Sequence, residues 1–128
     1  MAAKTNYLND AILDHVLRNS ALASPATVYL GLFTVAPTPS TSGTEVSGGS
    51  YARVAATFGA PALGVSTNSA PAAFPMATLA WGTVVAVGVF DALSGGNLLY
   101  FGTLTTPKSV DNGDTASFAV AALSITEQ

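Results

Sequence analysis

The sequence has no cysteine and a single histidine among its 128 residues. Disulfide frameworks, thiolate metal sites and cysteine nucleophiles are thereby excluded, and stability has to come from packing. Charge is nearly as scarce: four Lys or Arg, seven Asp or Glu, and none from Val54 through Phe90. Independent soluble domains usually keep roughly a quarter of their residues charged. A surface left to Ala, Gly, Ser and Thr therefore points to a packing unit that neighbours partly cover. The net charge of -3 offers no basic footprint for phosphates, which argues against direct nucleic-acid binding. Long hydrophobic runs are also missing. The most apolar stretch, Leu79 to Phe90, is broken by Gly82, Thr83 and Gly88 and falls short of the roughly 20 residues a membrane-crossing helix needs, so no membrane insertion is expected. The first residues lead into a segment bearing Asp10 and Asp14 rather than a signal-peptide pattern.

What is present fits one domain over residues 1–128, large enough to bury a core unaided. Leu8, Ile12 and Val16 recur at four-residue steps with Leu13 and Leu17 beside them, which predicts an amphipathic helix over 5–19 capped by Thr5 or Asn6. Its apolar stripe calls for a partner surface. From residue 26 onward the pattern changes. Thr27 to Thr34 is β-branched and aromatic, and further strands are predicted at 51–58, 72–74, 79–90, 97–104 and 115–125. Turn chemistry occupies 59–69, 94–96 and 111–114, and the polar segment 36–50 reads as a long exposed loop of the kind that often carries function. The expected fold is mainly β: an antiparallel β-sandwich or jelly-roll-like domain preceded by one N-terminal amphipathic α-helix.

Few residues form a chemical constellation. His15 and Asp14 are adjacent and so face apart on a helix, which makes His15 a structural residue rather than half of a dyad. The scattered carboxylates predict no metal site and no cofactor. Asp111-Asn112-Gly113-Asp114 resembles part of a calcium loop but lacks its downstream Glu, and reads as a tight turn with positive backbone angles at Asn112-Gly113. Ser47-Gly48-Gly49-Ser50 lacks the lysine of a phosphate loop. Trp81, Tyr29, Tyr51 and Tyr100 lie in or beside strands and are assigned to packing rather than to a sugar platform. Glu45 and Arg53 bracket the Gly-Gly segment in a charge-poor neighbourhood. They are expected to meet across a bend or to reach a neighbouring subunit, or else to form an exposed pair worth about 0 to 1 kcal/mol. Leu8, Ile12, Val16, Glu45, Tyr51 and Arg53 are the candidate interface residues.

Several blocks together carry a family resemblance: Thr5-Asn6-Tyr7-Leu8, Leu13-Asp14-His15, Pro25 to Thr34, Gly43 to Arg53, Trp81-Gly82-Thr83, Gly88 to Ala92, Gly95 to Leu99 and Asn112 to Thr115. In this order they resemble small tailed-bacteriophage virion proteins often labelled tail fibre proteins. The apolar pair Ala86-Val87 departs from the pattern, where relatives carry a more polar one. The resemblance implies a structural role in the virion, and no catalytic residues to transfer. Two readings follow. The first is a capsid decoration or cement protein that binds the major capsid protein lattice as a homo-oligomer, with a trimer expected, because the chain is short for a fibre shaft and its surface is charge-poor. The second is a tail, collar or fibre component involved in host recognition. A small depolymerase would need paired acids or a nucleophile and base, which the sequence does not offer.

Overall fold

The computed structural model describes residues 3–127. Helix α1 spans Asn6–Leu17, inside the predicted range, and Thr5 caps it by accepting the Leu8 N–H at 3.3 Å. The Thr5 hydroxyl donates in turn to the Leu98 carbonyl at 2.7 Å, so the cap also fastens the helix to the sheet. That sheet has six antiparallel strands. Strands β1 (Ala3–Lys4), β8 (Leu98–Val110), β7 (Gly82–Phe90), β2 (Val28–Val35) and β3 (Thr44–Glu45) lie side by side in that order, and β4 (Val54–Ala56) also pairs with β2. Two further ladders, β5 (Val65–Thr67) with β10 (Ser124–Thr126) and β6 (Ala72–Ala73) with β9 (Ser117–Phe118), complete a sandwich-like, mainly β domain.

Alternation along β2, together with a register shift in β7 between Val84 and Ala86, sorts the core into two clusters. Leu30, Leu32, Val84 and Val89 join Val46, Phe74 and Trp81 in the larger one. Phe33, Ala86 and Phe90 form the smaller one on the opposite face. Here a cross-strand pair of glycines, Gly31 and Gly88, makes room for the rings. A Cβ on Gly31 would lie 2.7 Å from Phe90, and one on Gly88 would lie 2.7 Å from Phe33, while the rings stack at 5.9 Å. Glycines whose bare backbone is covered by a neighbouring aromatic ring are a recurrent device of curved sheets.

The structure departs from the sequence reading in places. Segment 36–50 is not a loop throughout: it contains β3, and Pro37 and Val46 are buried. The predicted turn 59–69 contains β5. The predicted strand 115–125 is split into β9 and β10 by a turn in which Ala122 N–H donates to the Ala119 carbonyl and Ala121 has φ +64°. Buried Asn68 holds that turn, its amide donating to Ala119 O and its carbonyl accepting from Leu123 N–H. At 111–114 Asp114 N–H donates to Asp111 O, but only Gly113 has positive φ, not Asn112. One glycine in the third position suffices for such a turn.

Candidate functional site

Three of the candidate residues converge in a single knot. Strand β3 presents Glu45, and the tight turn at Gly48, Gly49 and Ser50, all at positive φ, returns the chain so that Tyr51 and Arg53 face it. Arg53 grips Glu45 in a fork, Nε to Oε2 at 2.9 Å and Nη2 to Oε1 at 2.8 Å. The Tyr51 hydroxyl donates to Glu45 Oε2 at 2.6 Å and accepts the Leu32 N–H at 3.0 Å. The other guanidinium nitrogen donates to the Ala92 and Gly95 carbonyls at 2.9 and 2.8 Å, and the guanidinium carbon lies 3.4 Å from the centre of the Phe90 ring. One planar cation thus joins β3, the segment before β4, the end of β7 and the loop between β7 and β8. The planar fork and stacking are what arginine supplies and lysine cannot.

Glu45 and Arg53 thus meet across the bend, the first of the expected alternatives, and they are not the exposed pair of the last: the side chains are only 10% exposed for Arg53 and 24% for Glu45, with Phe90 and the 92–95 loop against the guanidinium. Burial works against the Glu45 charge, yet hydrogen bonds from Arg53 and Tyr51 and the Arg53 charge outweigh it and hold the carboxyl below its ordinary range. Burial, with the bond to Glu45, pushes the Tyr51 phenol upward. A second carboxylate works similarly at the chain ends. Glu127 pairs with Lys4 and accepts from the Tyr100 hydroxyl at 2.6 Å.

The other three candidates lie along α1 and do not meet the knot residues in a single site. Leu8 is buried, Ile12 is half-buried, and Val16 is 69% exposed. Leu13 and Leu17 are exposed beside Val16, so the helix keeps its root in the domain and turns its outer apolar half away. His15 sits at the helix exit, where Nδ1 accepts the Leu22 N–H at 3.3 Å. Asp91, which the sequence left unassigned, accepts from Asn97 N–H and Nδ2 at 2.7 and 3.1 Å and so closes the loop that Arg53 holds. Among the described residues no three His, Cys, Asp or Glu side chains gather as a metal site would require, and no helix is long and apolar enough to cross a membrane.

Comparison with known proteins adds the family. None of the curated proteins searched matches the chain. A family model described as "Podophage GP4 fiber I protein gp80" matches residues 3–126, nearly the whole length, and its fibre description agrees with the second sequence reading better than with capsid decoration. The strands, the helix and the Glu45 to Arg53 block all fall inside that match, and the chain belongs to this family of phage fibre structural proteins.

Proposed function

We propose that the chain is a non-enzymatic structural subunit of the tail or fibre apparatus of a podophage-type virion, seated among other virion proteins through the outer face of α1. The family match over residues 3–126 carries this reading. The structure supports it in two ways. Ionic groups brace the fold, as in the Arg53 knot and the Lys4–Glu127 pair, and among the described residues no three His, Asp or Glu side chains gather as a metal site would need. Meanwhile Leu13, Val16 and Leu17 stand out from a helix that buries only Leu8, and an apolar stripe of this kind gains free energy when a neighbour covers it. The proposed oligomer is a trimer, and mass measurement on the purified protein tests it.

Gold labelling of intact virions decides between tail and head. Label at the tail with a few dozen copies or fewer per particle agrees with the proposal. Label spread over the head with hundreds of copies would replace it with capsid decoration.

A further inference from the structure

A concavity of about 260 Å³ lies between α1, the segment that follows it and the end of β7, lined by Tyr7, His15, Leu22, Ser24, Asp91 and Leu99, among others. Its polar groups have hydrogen-bonding capacity to spare. The Asp91 carboxylate is fixed by two bonds from Asn97, which leaves further lone pairs on both oxygens. His15 already uses Nδ1 as an acceptor for Leu22 N–H, so its ring proton sits on Nε2, a donor. The Tyr7 and Ser24 hydroxyls have no protein partner among the described residues. Leu22, Leu99 and Pro25 supply an apolar wall, and the half-exposed Tyr7 supplies an aromatic face. No Lys or Arg lines the concavity.

A fixed carboxylate acceptor, an imidazole donor, two hydroxyls and an aromatic face select a ring that carries several hydroxyl groups and one apolar side. The lack of cationic lining, together with Asp91, selects against an anion. We propose that this concavity binds a single neutral sugar ring, a hexose or N-acetylhexosamine unit of a larger glycan. The sugar hydroxyls replace water on Asp91, His15, Tyr7 and Ser24, and the carbon-bound hydrogens lie against Tyr7. A site of this size gives weak affinity for one ring, on the order of millimolar, and repetition of the subunit raises the affinity for a polymer.

This deepens the fibre reading, since a glycan site suits a component facing a cell surface. Its failure would not touch the virion position, which gold labelling reads separately. The test is an NMR titration of the purified protein with glucose, galactose, N-acetylglucosamine and glucuronate up to about 100 mM, following amide and side-chain resonances. The expected result is a saturable shift with at least one neutral sugar, confined to the surroundings of Tyr7, His15, Leu22 and Asp91, with glucuronate at least threefold weaker. Tyr7→Ala and Ser24→Ala should each weaken the shift at least threefold. The Trp81 indole resonance serves as the check on folding, because that N–H is bonded to Gly49 O at 2.9 Å. No saturable shift with any neutral sugar, equal or tighter binding of glucuronate, or unchanged binding in a folded Tyr7→Ala protein would overturn the proposal.

Discussion

At the scale of single residues, Arg53 and Glu45 do the most. An exposed ion pair contributes about 0 to 1 kcal/mol, and breaking a fully buried one costs about 3 to 5 kcal/mol. With Arg53 nearly covered and Glu45 partly so, Glu45→Gln should cost about 2 kcal/mol, read from urea unfolding. The same knot sets a pH dependence. The Glu45 carboxyl titrates lower when folded than its reference value of 4.5. Its contribution is therefore complete above about pH 4.5 and is lost as pH falls further through the folded-state value. Wild type should lose stability steeply below that point, and Glu45→Gln should flatten part of the loss. Gly31→Ala makes a separate prediction. The new methyl would press on Phe90 at 2.7 Å and on Glu45 Oε2 at 2.8 Å, and overpacking of this kind costs about 1 to 3 kcal/mol, measurable as a lowered Tm. The sequence made the Glu45 and Arg53 partnership legible, because two opposite charges flanked a turn in a charge-poor stretch. The carbonyls of Ala92 and Gly95, the Phe90 face and the closure by Asn68 were not legible. Those contacts join residues roughly 40 to 50 positions apart, and nothing local announces them.

Among the elements, the long periodic ones were readable and the short ones were not. Helix α1, β2 and β7 follow their predicted ranges closely because a periodic pattern repeats enough times to be seen. Strands β1 and β3 have two residues each, too few for any alternation. They exist because β8 and β2 offer an edge to pair with. Strand β8 runs on to Val110, past the predicted end at residue 104, through exposed Thr, Pro and Lys positions that no apolar pattern marks. The helix supplies this scale's prediction. Thr5 is both its cap and its tether, with bonds to Leu8 N–H and Leu98 O, and loss of such a cap costs about 0.5 to 2 kcal/mol. Thr5→Val should therefore destabilise by about 1 kcal/mol, with faster hydrogen exchange at the amides of Leu8 and Asn9 while the amides of β2 and β7 keep their protection.

For the whole molecule, a charge-poor sequence and a helix anchored by its first turn are the features behind the proposal that neighbours cover this unit. Leu8 belongs to the domain, whereas Val16 and Leu17 contribute little to it at 69% and 73% exposure. Changing them should separate folding from assembly, since substitutions on such open positions usually stay within about 0.5 kcal/mol. The chain belongs to a family of phage fibre structural proteins, and its contact with other virion proteins is proposed at the outer face of α1. The deciding measurement is the amount of Val16→Asp, Leu17→Asp double variant present in purified virions relative to wild type. The account predicts a protein that unfolds at the wild-type temperature yet is depleted at least tenfold from particles. Incorporation at the wild-type level would contradict it.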